Sequence, residues 1–194
     1  MSEAKKLDEY KNYIKRLSNN DPTLTEIDID YKFFGDPGAI KLAEALEGNT
    51  SLIELSTRNN DIGNIGAQAL AKALLTNTTL EKFLIDKNNI GDEGAKALAD
   101  MLTINKKIKV FNISVNEITN IGAQYFASAL QTNKTLTTFY CYNSNILDEG
   151  AKALAKALIT NTTLTILDIR SNRISSVYID SITEKLNSNI RLYN

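Results

Sequence analysis

A repeat of 28 residues runs through almost the whole sequence and limits what the chain can fold into. The repeat has six copies, whose first residues are Leu24, Leu52, Leu80, Ile108, Leu136 and Leu164. With that residue counted as position zero, positions three and ten are always apolar, position five is usually apolar, and position fourteen is Gly in the first five copies. Since six copies keep one register and none is long enough to bury its own apolar face, the chain must stack its copies into an array.

Each copy predicts one short strand followed by one helix. Positions three and five lie on the same side of an extended chain, so they predict a strand with two inward side chains. Position eight, usually Asn, can bond backbone groups where the chain leaves the strand. The Gly at position fourteen is expected to open the helix, whose inward stripe in the third copy is Ala95, Leu98, Ala99 and Leu102. An Asn near the end of each copy, such as Asn105, suggests a left-handed turn after the helix.

This pattern resembles the leucine-rich repeat family in its 28-residue type, known from ribonuclease inhibitor and the GTPase-activating protein of Ran. The resemblance rests on L-x-x-L-x-L-x-x-N-x-I followed by G-A-x-A-L-A-x-A-L, with apolar replacements, as in residues 80–102, and covers about residues 23–189. It implies an α/β fold: a right-handed solenoid of about six repeats, with parallel strands on the concave face and helices on the convex face. A shorter stretch, LSNNDPTLTEIDID at residues 17–30, resembles the leucine-rich domain of the actin-capping proteins tropomodulin and leiomodin.

The two ends of the array differ from its middle. Leu7, Tyr10, Ile14 and Leu17 recur at helical spacing, so residues 3–18 predict an amphipathic helix over the first repeat. We assign residues 1–21 to an N-terminal capping helix and residues 22–194 to the repeat array with a C-terminal capping repeat. Leu192 stands 28 positions after Leu164, where a seventh copy is expected to begin.

Composition argues against several functional classes. The sequence has no His and one Cys, which removes the commonest general base, the commonest metal ligand and any intrachain disulfide. Its net charge of -1 provides no basic field for nucleic acid or an anionic membrane, and the N-terminus lacks the apolar segment of a secretory signal. We therefore expect no enzymatic activity, no cofactor or metal, and no nucleic-acid or membrane partner. We also expect a monomer in the cytoplasm, or in the host cytoplasm if the chain is a bacterial effector.

Several local motifs are explained by the repeat itself. The glycine-rich stretch around Gly91 and Gly94 lacks the G-x-x-x-x-G-K-[ST] of a phosphate loop and recurs at every strand-to-helix corner. The segment from Asp86 lacks two ligands of a calcium loop. Cys141 occupies the inward position five, and acids such as Asp92 precede helices, where they favour the helix dipole.

The candidate binding surface lies on positions two, four and six, which point away from positions three and five. The residues predicted to bind a partner there are Arg58, Leu84, Asp86, Val110, Asn112, Tyr140, Tyr142, Ile166, Asp168 and Arg170. Asp30, Arg58 and Asp86 predict a surface ion-pair ladder worth roughly 0–1 kcal/mol per pair. Val110, Tyr140, Tyr142 and Ile166 predict an apolar patch, which is typical of contact surfaces, although tyrosines can also simply cover a sheet.

Two functions are compatible with this surface. The first is a protein-interaction module that grips a protein partner of unknown identity on its concave face. The second, implied by the resemblances alone, is a GTPase regulator or a tropomodulin-like actin-binding module.

Overall fold

The computed structural model describes residues 3–191, and in that range six strands alternate with seven helices. The strands are β1 (Glu26–Asp28), β2 (Glu54–Ser56), β3 (Lys82–Leu84), β4 (Val110–Asn112), β5 (Thr138–Tyr140) and β6 (Ile166–Asp168). The helices are α1 (Glu3–Ser18), α2 (Gly35–Leu46), α3 (Asn64–Leu74), α4 (Asp92–Ile104), α5 (Asn120–Thr132), α6 (Asp148–Ala157) and α7 (Ser176–Arg191).

The strands form a single parallel sheet in sequence order. Each strand pairs with the next at an offset of 28 residues, so that Ile27 lies beside Leu55 and Phe83 beside Phe111. The pairing register therefore equals the repeat length, and every repeat position becomes a row of side chains across the sheet. Neighbouring helices pack against one another in the same order. The predicted α/β solenoid of about six repeats is confirmed.

The core lies between the sheet and the helix layer. Positions three and five are buried in every repeat, as predicted, and so is the helix stripe of Ala95, Leu98, Ala99 and Leu102. Phe111 packs between Phe83 and Phe139 with ring centroids 5.8 Å from each, and Phe126 of α5 lies 5.0 Å from Phe139. Aromatic contacts thus join the third, fourth and fifth repeats.

Contacts between successive repeats fix where the helices begin. Helices α3 to α7 start at position twelve, which in α3 to α6 is two residues before the glycine that was expected to open them. The side chain at position twelve caps the helix of the following repeat: Asp92 Oδ1 accepts the N–H groups of Thr119 and Gly122, each at 2.9 Å. A Cβ atom at Gly122 would lie 2.7 Å from that oxygen. The glycine is therefore required for close approach between repeats rather than for opening the helix.

The asparagines near the repeat ends do not adopt the left-handed turn that the sequence suggested. Asn105, for example, has φ -64° and ψ 128°. It is buried, its Oδ1 accepts the N–H groups of Lys107 and Ile108, and its Nδ2 donates to the Leu74 carbonyl at 2.8 Å. A left-handed residue stands instead at position seven of every repeat, three residues after the strand ends: Tyr31, Asn59, Lys87, Val115, Asn143 and Ser171.

Helix α1 packs against α2 at the N-terminal end of the array. Tyr10 is buried, donates its hydroxyl to the Gly38 carbonyl at 2.7 Å, and stacks on Phe34. The side chain of Leu7 and the whole of Leu192 lie outside the described residues, and the division of the chain at residue 21 remains a proposal. Among the helices of residues 3–191, none combines the length and apolar character that crossing a membrane requires.

Candidate functional site

The concave face, as we use the term, consists of the side chains at positions two, four and six of the six strands. Because the strands are in register, each position forms a row with neighbours about 4.8 Å apart. The position-two row is Glu26, Glu54, Lys82, Val110, Thr138 and Ile166, and the position-four row is Asp28, Ser56, Leu84, Asn112, Tyr140 and Asp168. The position-six residues, which follow directly, are Asp30, Arg58, Asp86, Ser114, Tyr142 and Arg170.

The N-terminal half of this face is organised around Arg58. Its Nε donates to Asp86 Oδ2 at 2.9 Å and lies 3.9 Å from Asp30 Oδ2. Asp30 Oδ1 also accepts the Arg58 N–H at 2.8 Å and the Ser56 hydroxyl at 2.6 Å, while Asp86 Oδ1 accepts Asn112 Nδ2 at 3.0 Å. The predicted row of alternating charges is therefore present, and it is tied together by hydrogen bonds.

This row is not the surface ladder that the sequence suggested. Asp86 is 0% exposed, whereas the Arg58 side chain is 35% exposed. Burial raises the pKa of the Asp86 carboxyl, and the charge of Arg58 and its hydrogen bond oppose that rise. Asp86 presents no surface to a partner, and its hydrogen bond to Nε holds the Arg58 side chain in place.

The C-terminal half is less charged and more apolar. Ile166 is 46% exposed, and Val110, Tyr140 and Tyr142 are half-buried. Tyr140 and Ile166 line one groove of about 380 Å³ together with Asp168 and Arg170. Val110 is separated from Ile166 by Thr138 in the position-two row. The four residues of the predicted patch thus form a discontinuous surface centred on Tyr140 and Ile166.

Arg170 stands at the rim of this half. Its Nη2 donates to Asp168 Oδ2 at 2.7 Å and its Nε to Asp168 Oδ1 at 2.9 Å, and these hydrogen bonds hold the pKa of Asp168 below its usual range. The Arg170 side chain is nevertheless 85% exposed. Its guanidinium therefore remains accessible to an acidic group of a partner.

The inward side of the same strand contains two departures from the repeat. Cys141 is buried, which raises the pKa of its thiol to about 12, so it is protonated at physiological pH and suits a packing role. Ser144 replaces the usual position-eight Asn. Its Oγ is buried and, within residues 3–191, has no oxygen or nitrogen as a hydrogen-bond partner; its interaction with the Cys141 thiol lowers the pKa of that thiol against the larger effect of burial.

Sequence reasoning missed the far wall of the groove. Ile179, Ile182 and Thr183 of α7 line it, together with Leu167 of β6 and Ile169, which follows that strand. The sixth repeat lacks the Gly that marks the other helices, so its register gave no signal that these side chains would face the end of the sheet. In the part of the chain that the structure describes, no group of three or more Cys, Asp or Glu residues could hold a metal ion.

Comparisons with known proteins agree with this architecture. A sequence model described as leucine-rich repeat matches residues 48–71, 76–99, 105–127 and 160–177. The solved structure of leiomodin-1 actin-binding site 2 is similar over 95% of this chain and 91% of its own, with 26% identity and a TM-score of 0.70. The solved structure of the tropomodulin C-terminal domain of Caenorhabditis elegans is similar over 95% of this chain and 95% of its own, with 16% identity and a TM-score of 0.61, which shows a shared fold. No curated protein matches the chain.

Proposed function

We propose that this chain, which is a leucine-rich repeat protein, is a non-enzymatic interaction module that binds a protein partner on its concave face. The observation that carries the proposal is that Tyr140 and Tyr142, both partly exposed, and the exposed Ile166 lie together on the concave face. Tyrosine supplies large contact area with a polar end, and it is enriched at the energetic centres of interfaces. Arg58 and Arg170 add fixed charges that restrict which partners fit.

The fifth repeat, which begins at Leu136, supports this location. Residues 128–159 fall between two matches of the family model, although their backbone follows the same strand and helix pattern. Its inward positions keep Phe139 and Cys141 in the core, whereas its outward positions place two tyrosines on the concave face. Apolar residues placed outward on a folded sheet favour contact with another molecule.

An actin-binding module is the second candidate. It is favoured by the likeness to a structure named as actin-binding site 2 of leiomodin-1, which extends over 95% of this chain. The GTPase-regulator alternative rests on the family resemblance alone. We propose a cytoplasmic location on the grounds of the single buried Cys, because reducing compartments keep such thiols free.

Affinity capture from the native cell type tests the proposal when two baits are compared. We expect the wild-type chain to retain a specific protein that the Tyr140→Ala, Tyr142→Ala double variant does not retain. Equal capture by the two baits would contradict concave-face binding. Co-sedimentation with actin filaments and gel filtration with monomeric actin test the second candidate, which would require saturable association in at least one of them.

A further inference from the structure

Within residues 3–191 the sheet ends at β6, and on its outer side the N–H groups of Ile169 and Ser171 have no hydrogen-bond partner, although the Ile169 carbonyl accepts Asn172 Nδ2 at 2.9 Å. In parallel pairing, alternate residues direct both of their backbone groups to the same neighbour. Ile166 N–H donates to the Thr137 carbonyl, and the Asp168 carbonyl accepts from Cys141, so Ile166 and Asp168 face β5. The backbone N–H and carbonyl groups of Leu167 and Ile169 consequently point towards the open end of the sheet, and so does the N–H group of Ser171.

Every inner strand uses these same groups to bind the next strand. At position five, the N–H of Ile85 donates to the Asn112 carbonyl at 2.9 Å, and that of Ile113 to the Tyr140 carbonyl at 3.0 Å. At position seven, the N–H of Lys87 donates to the Ser114 carbonyl at 2.9 Å. In the sixth repeat, the corresponding N–H groups of Ile169 and Ser171 have no hydrogen-bond partner among residues 3–191.

An apolar groove lies along this unpaired edge. Leu167 and Ile169 form one wall, and Ile179 and Ile182 of α7 form the other, in a space of about 380 Å³. Tyr140 and Ile166 stand at its opening onto the concave face. A strand placed here would meet backbone donors along its length and apolar walls beneath its alternate side chains.

We propose that the β6 edge binds an extended segment of a protein partner as a seventh parallel strand. The inward rows show which side chains such a segment needs: apolar residues at two alternate positions, as at positions three and five of every strand except for Thr57. Addition of a strand to an exposed sheet edge is a general mode of peptide recognition, in which the backbone supplies affinity and alternate pockets supply specificity.

Charge complementarity with Arg170 predicts that the partner segment also carries an acidic residue directly after its second apolar residue. In the inner array, Arg58 at position six is followed across the sheet by Asp86, whose Oδ2 is 2.9 Å from Arg58 Nε. Arg170 occupies the same position at the edge and is 85% exposed. The expected motif is apolar, any residue, apolar, acidic, and the chain's own β3 segment FLID at residues 83–86 fills the equivalent place beside β2.

A second copy of the chain fits this edge less well. Its first strand would have to approach β6, but α1 packs against α2 at that end of the array, and Tyr13 of α1 lines the same cavity as Glu26 and Ile27 of β1. The occupant is therefore a segment without a helix ahead of its strand. This site is distinct from the proposed concave-face site. The groups that bind the partner strand are the backbone of β6 and the side chains that form the walls of the groove.

Titration of the ¹⁵N-labelled chain with the blocked peptide EKFLIDK, the sequence of residues 81–87, tests the proposal. We expect saturable shifts of the Leu167, Ile169 and Ser171 amide resonances and slower hydrogen exchange at those amides. Replacing the peptide's leucine by proline, giving EKFPIDK, removes an N–H that would face the Leu167 carbonyl and should abolish the shifts. Replacing its Asp by Asn should weaken binding by roughly two- to fivefold.

Variants of the chain separate this site from the concave face. Arg170→Gln should remove the difference between the Asp and Asn peptides, whereas Arg173→Gln, a neighbouring exposed arginine, should preserve it. Tyr142→Ala should weaken capture of a concave-face partner and leave the peptide titration unchanged. Equal binding of the proline peptide, shifts confined to concave-face amides, or concentration-dependent protection of the β6 amides without peptide would each overturn the proposal.

Discussion

Val115, three residues after the end of β4, has a backbone conformation that its own side chain disfavours. Its φ is 55°, and a β-branched residue in the left-handed region is a strained case, held here because its N–H donates to the Tyr142 carbonyl at 2.9 Å. Asn59 and Asn143 occupy the same position in other repeats, and Asn tolerates this conformation.

Replacing Val115 by Asn should therefore stabilise the chain by about 1 kcal/mol. The reverse exchange, Asn59→Val, is the matched control and should destabilise it by a similar amount. Urea denaturation of the three proteins measures the effect. A lower stability for Val115→Asn would mean that the contacts of the valine side chain outweigh its backbone strain.

The buried carboxyl of Asp86 makes stability depend on pH. Burial raises its pKa in the folded chain above the ordinary value near 4, so the folded state holds this proton more tightly than the unfolded state does. The stabilisation linked to Asp86 is thus fully present below about pH 4 and is lost as pH rises through the folded pKa.

Asp86→Asn removes the titrating carboxyl but keeps a side-chain oxygen that can accept the hydrogen bond from Asn112 Nδ2. The free energy of unfolding of the wild type, relative to this variant, should fall as pH increases from about 4 towards neutrality. Urea titrations at a series of pH values measure that difference. A difference that rises with pH would show that attraction to Arg58 exceeds the cost of burial.

The burial of Asp86 illustrates what the sequence could not predict at this scale. The pattern correctly placed its side chain on the outward row beside Arg58. Whether the carboxylate reaches solvent depends on the neighbours Arg58 and Asn112, which come from strands 28 and 26 residues away. Sequence period determines the direction of a side chain, but not how far its neighbours cover it.

At the scale of single elements, the turns after the strands are held by a row of asparagines at position eight. Asn88 Oδ1 accepts the N–H groups of Asn60 and Ile62 in the preceding repeat, and its Nδ2 donates to the Ile85 carbonyl. Ser144 interrupts this row, because its hydroxyl has no oxygen or nitrogen as a hydrogen-bond partner within the described part of the chain.

Ser144→Asn should restore the row and raise stability by roughly 1–2 kcal/mol, because each hydrogen bond contributes about 0.5–1.5 kcal/mol. Asn88→Ser is the matched control and should lower stability by about 1–3 kcal/mol, since it leaves buried backbone groups unpaired. Thermal unfolding of both variants tests the pair. Destabilisation by Ser144→Asn would indicate that the fifth turn cannot accommodate the longer side chain.

The repeat predicted the order of strands and helices well, because periods of two and of 3.6 residues alternate inside each 28-residue copy. It placed the helix starts two residues too late. The reason is that the capping oxygen, such as Asp92 Oδ1 for Gly122, comes from the previous repeat, 30 residues earlier. A capping search limited to neighbours in sequence cannot find that contact.

At the scale of the whole molecule, stability passes from one repeat to the next through the helix layer. Leu98 is fully buried at the centre of α4. Leu98→Ala should leave a cavity and cost about 2–5 kcal/mol, and it should broaden the unfolding transition because the two halves of the array become less strongly coupled.

Ile104→Ala provides the control, since Ile104 ends the same helix with its side chain 59% exposed. We expect it to change stability by less than about 0.5 kcal/mol. Guanidinium denaturation followed by circular dichroism reports both the midpoint and the slope. Similar midpoints for the two variants would contradict the assigned inward face of α4.

The concave rows could be predicted from the sequence, and the end of the sheet could not. Rows follow from a constant register, so Tyr140 and Asp168 become neighbours once the period is known. The groove at β6 depends on how α7 closes the array, and the sixth repeat has lost the Gly and small residues that would have shown its packing. The repeat pattern therefore predicts packing in the inner repeats but not in the sixth, where the sequence departs from it.

The dissociation constant of a captured partner for the Tyr140→Ala, Tyr142→Ala double variant tests the concave-face proposal most directly. Both side chains leave the strand on the side opposite Phe139 and Cys141, so the fold should survive, as a melting curve would verify. Loss of two interface tyrosines should weaken binding by at least a hundredfold, given about 2–4 kcal/mol for one central residue. The control Lys96→Ala, Lys152→Ala on the exposed helix faces should leave the constant unchanged. An unchanged constant in the tyrosine variant, with binding lost in the lysine control, would place the partner on the convex side and contradict the proposal.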